Sequence, residues 1–286
     1  QFMDGTLELS ENQMRTAFAD TPVTNINESL GKIEKSFEDY PTIIYDGPFS
    51  EHILNRKSEI LNHPHVTREQ ALKIATDFTG ADLEFSEETK GNIPSYIFSS
   101  KDNSICAEVS KNGGKVVMVT DNCQVKNPEI TINQASAIAA DFLRSKGYAN
   151  MKETGYLLEG NLVNFAFAYT VSDYRVYSDL IKVKVSLHDG KICGFESNGY
   201  LFNHKLRTPP PPVISEENVL AALNPNLKIR KVSKACIPRD NGTESWCYEV
   251  KAVFNDKIFL VYVNTQTGNE EEILIYIEDT NGSMTI

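Results

Sequence analysis

Thr67-Arg68-Glu69-Gln70-Ala71-Leu72-Lys73-Ile74-Ala75-Thr76-Asp77-Phe78 returns 64 residues later as Thr131-Ile132-Asn133-Gln134-Ala135-Ser136-Ala137-Ile138-Ala139-Ala140-Asp141-Phe142, with seven of twelve positions identical. The shared positions have physical jobs. Thr67 and Thr131 stand where a helix begins, and Gln70 and Gln134 follow three residues later, the spacing of a capping box. Ala71, Ile74, Ala75 and Phe78 fall on one face of a helix, and Ala135, Ile138, Ala139 and Phe142 repeat that face. The paired alanines let each helix lie close against whatever it covers. Ser215-Glu216-Glu217-Asn218-Val219-Leu220-Ala221-Ala222-Leu223 is a third, more divergent start, and Pro225 ends its helix early.

Each helix is followed by β-type sequence with a common signal. Val109-Ser110, Val185-Ser186 and Val263-Asn264 each stand before a glycine four residues beyond the Ser or Asn: Gly114, Gly190 and Gly268. Alternating apolar residues flank these polar tips, which predicts hairpins. The strands include 104–110 with 115–120, 163–171, 179–187 with 191–197, and 246–254 with 257–263 and 271–277. Helix first and antiparallel meander second gives an α+β module with its helix laid on the sheet.

From cap to cap the starts lie 64 and then 84 residues apart, too long and uneven for a solenoid. The expected organisation is three tandem modules, at residues 66–127, 128–208 and 209–286. Pro209-Pro210-Pro211-Pro212 provides a stiff spacer before the third. Modules of this size have thin cores and are expected to lean on one another. Ahead of them, Ile26, Leu30, Ile33 and Phe37 form a narrow seam, and Met14, Ala17 and Phe18 mark another short helix. Residues 1–39 therefore read as the tail of an upstream helical region. Residues 40–65 read as a linker with a short strand (Thr42 to Tyr45) and a turn at Asp46-Gly47.

Composition narrows the function. The chain has 286 residues, 41% of them apolar, which is ordinary for a folded protein. A net charge of −11 argues against nucleic acid and against electrostatic adhesion to anionic lipid. No run of 18 apolar residues is present to span a membrane. The chain opens Gln1-Phe2-Met3 without a signal peptide, so it is expected to be an excised fragment or a mature product. Any anchor of the native protein is expected upstream.

Five cysteines leave at least one unpaired, and no C-x-x-C occurs. Cys236 and Cys247 are equidistant from Asn241-Gly242, a favoured hairpin tip, so they are either bridged or two small buried apolar residues. Among the five histidines, His63-Pro64-His65 offers two ring nitrogens without a third ligand, and a loop before Thr67 is the plainer reading. Asp77 and Asp141 invite a paired-carboxylate role, but both face away from the apolar stripe. Glu270-Glu271-Glu272 reads as a solvated strand entry, and Trp246 as part of the third core or of a binding groove. Sequons stand at Asn27, Asn241 and Asn281. No nucleophile elbow, phosphate-binding loop or dinucleotide fingerprint is present. No catalytic, metal-binding or cofactor-binding residue is assigned, and no enzymatic activity or cofactor is expected.

The helix-capped repeats resemble PepSY domains, closely for the first two units and loosely for the third. From Tyr40-Pro41-Thr42-Ile43-Ile44-Tyr45-Asp46-Gly47-Pro48-Phe49-Ser50 into Glu51-His52-Ile53 and the first module, the chain is similar to the YpeB family of spore germination proteins. That resemblance implies a non-catalytic protein, anchored at the outer face of the inner spore membrane by an N-terminal segment. It also implies a partner, the cortex-lytic enzyme SleB, which such a protein stabilises, localises and restrains. A PepSY-type inhibitor or chaperone of a peptidase is the alternative. For the partner surface, Tyr45, Asp46, Gly47, Pro48 and Phe49 put aromatics around a tight turn; they are either a contact site or a hinge packing two regions together.

Overall fold

The computed structural model describes Phe49 and residues 58–123, 126–279 and 282–285. Helix α1 (Arg68–Thr79) opens on a complete capping box: the Gln70 amide donates to Thr67 Oγ1 at 3.2 Å, and the Thr67 amide donates to Gln70 Oε1 at 2.8 Å. Thr131 and Gln134 build the same box at the start of α2 (Ile132–Ser145). A short α3 (Asn198–Asn203) follows the second meander. In α4 (Glu216–Ala222), Ser215 caps the Asn218 amide at 3.2 Å, and the helix stops before Pro225.

The architecture is α+β, with few helices on one large, mostly antiparallel sheet. The first meander is β1 (Glu84–Thr89), β2 (Ser95–Ser99), β3 (Ile105–Ser110) and β4 (Val116–Asp121). The second is β5 (Met151–Glu159), β6 (Leu162–Val171), β7 (Tyr174–Ser186) and β8 (Ile192–Glu196). The last strands are β9 (Lys228–Pro238), β10 (Glu244–Phe254), β11 (Lys257–Asn264), β12 (Glu270–Asp279) and β13 (Gly282–Thr285). The sequence predicts a separate antiparallel sheet for each unit. Instead, the described strands form a single thirteen-stranded sheet in the order β1-β2-β3-β4-β8-β7-β6-β5-β13-β12-β11-β10-β9. The reason is the edge: each four-stranded meander ends in a strand with an unpaired row of backbone groups, and pairing β4 with β8 satisfies both rows.

That seam has local two-fold character. Ser110, Gly114 and Lys115 correspond to Ser186, Gly190 and Lys191, an offset of 76 residues in each case. Val119 pairs with Phe195, its own equivalent, while Met118 pairs with Glu196 and Thr120 with Gly194. The two halves therefore meet as copies do in a symmetric dimer. Above the seam, Phe195 sits 4.9 Å from Phe78 and 6.0 Å from Phe142, and those two rings are 5.7 Å apart edge-on. Each such pair contributes roughly 0.5–1.5 kcal/mol beyond the area it buries. The alanines of both helices (Ala71, Ala75, Ala135, Ala139) are fully buried in one core shared by the two units.

One latch recurs at all three helix starts. The amide before the cap donates to the carbonyl after the Ser or Asn: Val66 to Lys111 at 2.9 Å, Ile130 to Leu187 at 3.0 Å, Ile214 to Thr265 at 3.0 Å. The glycines of the hairpin tips lie against the same helix. A Cβ on Gly114 would sit 2.8 Å from Ile74 Cδ1, and one on Gly190 would sit 2.7 Å from Ile138 Cδ1. Both glycines also have positive φ, which disfavours a side chain there, while the isoleucine ends would have to shift to admit one.

Of the two readings for Cys236 and Cys247, the structure takes the unbridged one. Cys236 and Cys247 are buried and unbridged, and the disulfide joins Cys123 to Cys193 instead, with Cα atoms 5.7 Å apart. Asn241-Gly242 forms a longer loop than a two-residue turn: the Gly242 amide donates to the Arg239 carbonyl and Gly242 has φ 79°. Cys236 then lies opposite Trp246, and Cys247 opposite Ala235, on the other face of the sheet. The Cys123–Cys193 bridge clamps the β4–β8 seam.

Candidate functional site

Strands β5–β7 and β9–β13 close on themselves. Tyr174, Arg175 and Val176 of β7 pair in parallel with Lys234, Ala235 and Cys236 of β9, and Leu157 of β5 pairs with Gly282 of β13. The resulting ring of eight strands holds a core of Tyr177, Ala235, Ile237, Cys247, Leu260 and Tyr262. Phe49 packs into this core, half-buried, with its ring 5.8 Å from Tyr177 and 5.3 Å from Tyr262. Within it lies one carboxylate, Glu249, 6% exposed. It accepts from Tyr177 Oη at 2.5 Å, Tyr262 Oη at 3.1 Å, Ser233 Oγ at 2.9 Å and Arg175 Nη1 at 3.1 Å. Burial, and then the negative charge of Glu249, push both tyrosine hydroxyls well above their ordinary pKa. Next to this network is a cavity of about 340 Å3, reached by Arg175, Lys231, Lys251, Glu153, Glu249 and Glu278.

A second polar cluster joins the segment after α3 to the third unit. Arg207, its side chain 2% exposed, is gripped by two carboxylates. Nη1 and Nη2 donate to Asp179 at 2.7 and 2.8 Å, while Nη2 and Nε donate to Glu244 at 2.7 and 3.1 Å. Burial works against the guanidinium's charge, but hydrogen bonds to Glu244 and the charge of Asp179 outweigh it and hold its pKa above the ordinary value. His204 Nδ1 lies 2.8 Å from Asp179, and its ring stacks on Tyr200 at 4.2 Å. Beside this cluster the Cys236 thiol is pushed up by burial and then by Glu244, and burial followed by Glu271 takes Cys247 up to about 12. These thiols stay protonated and unreactive at neutral pH. The carboxylates are saturated by their donors, an arrangement suited to holding strands together.

Of the five residues singled out for partner contact, Tyr45, Asp46, Gly47 and Pro48 lie outside the described residues. The Met14 and Ile26 seams and the strand ending at Tyr45 lie outside them as well. Asp77 and Asp141 are exposed, and Asp141 pairs with Arg144. His63 and His65 are exposed, and His65 bridges to Asn112. Trp246 stands edge-on to Tyr174 at 5.0 Å. Glu271 pairs with Arg239, and the Asn241 side chain accepts from Thr243 across the hairpin tip. Sequence reading missed the Asp179–Arg207–Glu244 cluster. Its one local signal is an aspartate in the middle of β7, whose neighbours on both sides are buried.

Comparisons with known proteins agree on one family. The family model described as YpeB sporulation, PepSY1 and PepSY2 domains matches residues 26–210. The sporulation protein YpeB of Halalkalibacterium halodurans is 30% identical over 215 residues, 73% of this chain and 48% of that protein. The Bacillus subtilis protein of the same name is 27% identical over 223 residues, 74% of this chain and 50% of its own. The chain thus spans about half the length of the curated relatives it matches. Among solved structures, the Bacillus megaterium YpeB C-terminal domain superposes with a TM-score of 0.64 at 25% identity, covering 74% of this chain and 98% of that one. With the capped repeat, the mostly antiparallel sheet and a family model matching well over half its residues, this chain belongs to the YpeB sporulation protein family.

Proposed function

We propose that the chain is a non-catalytic spore germination protein that binds, stabilises and regulates a cortex-lytic, peptidoglycan-degrading enzyme, SleB. Membership of a sporulation family supports the setting. The observation that carries the non-catalytic part is the use made of the buried charged groups: Glu249, Asp179, Glu244 and Arg207 are consumed by one another and by strand-to-strand contacts. The proposed place of action is the outer face of the inner spore membrane, with a membrane anchor outside the present chain. No nucleic acid or small-molecule cofactor is invoked.

In this reading residues 66–127, 128–208 and 209–286 act as three PepSY-like modules, supported by the latch repeated at Val66, Ile130 and Ile214. The proposed contact with the enzyme includes Tyr45, Asp46, Gly47, Pro48 and Phe49, of which Phe49 packs on the ring core.

The test is capture from dormant-spore extract with this chain as bait and detection of SleB by antibody. A specific SleB band is expected, and its absence under saturating bait contradicts the proposal. Tyr45→Ala should remove capture while thermal unfolding stays unchanged. Undiminished capture would remove residues 45–48 from the contact.

A further inference from the structure

The ring of eight strands is incompletely sewn. β5 pairs with β6 along its whole length, Met151 to Glu159. On its other edge, among the described residues, only Leu157 has a strand partner, Gly282. At that point the backbones approach so closely that a Cβ on Gly282 would collide with the Tyr156 carbonyl oxygen. Beyond it β13 pairs with β12, Ser283 opposite Glu278 and Thr285 opposite Tyr276, and no further ladder pair joins it to β5 among the described residues. Residues 151–156 are thus left with a row of backbone N–H and C=O groups lacking a strand partner among the described residues. Such a row is a template for another strand.

The wedge between the two strands opens on the cavity of about 340 Å3, lined by Thr154 and Tyr156 on the β5 side and by Ser283 on the β13 side. That volume lies at the low end of the range for ligand clefts, about 300–1,000 Å3, which fits a few residues of extended chain better than a folded element. Three cations and three carboxylates line the cavity, and they differ in how they are paired. Lys251 is paired with Glu278 at 2.9 Å, Arg175 Nη1 with Glu249 at 3.1 Å, and Glu153 accepts from the Ser136 hydroxyl. Lys231 is exposed without an ion pair among the described residues, and the buried Nε of Arg175 has no acceptor. Two cations, Lys231 and Arg175, thus keep donors without an acceptor among the described residues.

We propose that the wedge between β5 and β13 is a strand-addition site that takes an extended, carboxylate-bearing peptide segment of a partner protein. The segment's backbone pairs with the edge of β5 at residues 151–156, and its carboxylate meets Lys231 and Arg175. Main-chain pairing supplies affinity that is tolerant of sequence, and the cations set orientation. The inference deepens the partner-binding reading, and it can fail separately from it.

The test uses this whole chain and an N-acetylated peptide Thr-Val-Thr-Val-Thr-Val-Asp with a free C-terminus, followed by fluorescence anisotropy and by hydrogen exchange over residues 151–157. Saturable binding with new protection of those amides is expected. The same peptide with alternate amides N-methylated should not bind. Lys231→Glu should weaken the carboxylate peptide roughly tenfold, the loss of one charge-assisted contact, and leave the carboxylate-free peptide, with Asn in place of Asp and an amidated C-terminus, little changed. Full protection of residues 151–156 before peptide is added would overturn the proposal, as would binding without new protection or no binding at millimolar peptide. Capture of SleB with unchanged exchange in β5 would overturn this site and leave the partner-binding reading standing.

Discussion

The chain is held together by two kinds of seam. Between the first two units the seam is apolar and self-complementary: Val119 meets Phe195, three phenylalanines stack above it, and one core serves both units. Between the second and third units an apolar core around Tyr177, Ile237 and Tyr262 is joined by buried charge: a guanidinium between two carboxylates, and Glu249 tied to two tyrosines. The third unit has its own small core around Val219, Val250 and Val261. An apolar seam tolerates small adjustments, because dispersion and burial fall off gradually. A buried ionic seam depends on every partner being present, because a carboxylate left alone in a dry site has nothing to offset its desolvation. The first seam should therefore weaken by degrees and the second should fail abruptly.

Arg207→Ala is the strongest way to break that contrast. It removes the guanidinium that Asp179 and Glu244 share, leaving them His204 and Lys205, and is expected to destabilise by up to about 3–5 kcal/mol, read by denaturant titration, with the third unit unfolding ahead of the rest. A single cooperative transition with little loss would show that the polar seam carries no weight. Opening Cys123–Cys193 by paired Ser substitutions acts on the apolar seam. The bridge closes a 70-residue separation, for which the chain-entropy estimate is about 4 kcal/mol, and the first two units should still unfold together.

Alkaline pH sharpens the comparison further. Cys247 has a folded pKa raised to about 12, and an unfolded thiol titrates near 8.5. A raised folded pKa means the stabilisation is present below the unfolded value and is lost as pH rises. Stability should fall between about pH 8.5 and 12, by about 2 kcal/mol at pH 10 from this thiol alone, and Cys247→Ala should flatten that slope. Smallest of all, Thr131→Ala removes the α2 cap and should cost about 1 kcal/mol, shifting the melting of the first two units.

The parts legible in the sequence are those fixed by local chemistry. Thr67 with Gln70, Thr131 with Gln134, the alanine stripes and the glycines at 114, 190 and 268 each declare their role within a few residues. Other parts depend on what packs from far away. Strand β1 is almost wholly exposed and β9 begins with four exposed residues, so neither shows the alternation that marks a half-buried strand. Pairing of β4 with β8 follows from the edges left by two meanders, which no single stretch records. The disulfide follows from that pairing, since Cys123 and Cys193 meet only once the seam has formed. For Asn241-Gly242 the turn chemistry was legible but the loop length was not, and one residue of register placed Cys236 and Cys247 on opposite faces. The ion cluster was hidden because Asp179, Arg207 and Glu244 are far apart in sequence, each unremarkable alone.

The most direct test of the whole account is cortex peptidoglycan turnover by SleB, measured with and without this chain, beside a sample of the chain alone. The chain by itself is expected to release no muropeptides and to alter the rate or lifetime of the enzyme at stoichiometric ratios. Muropeptide release by the chain alone, or an enzyme indifferent to its presence, would contradict this expectation.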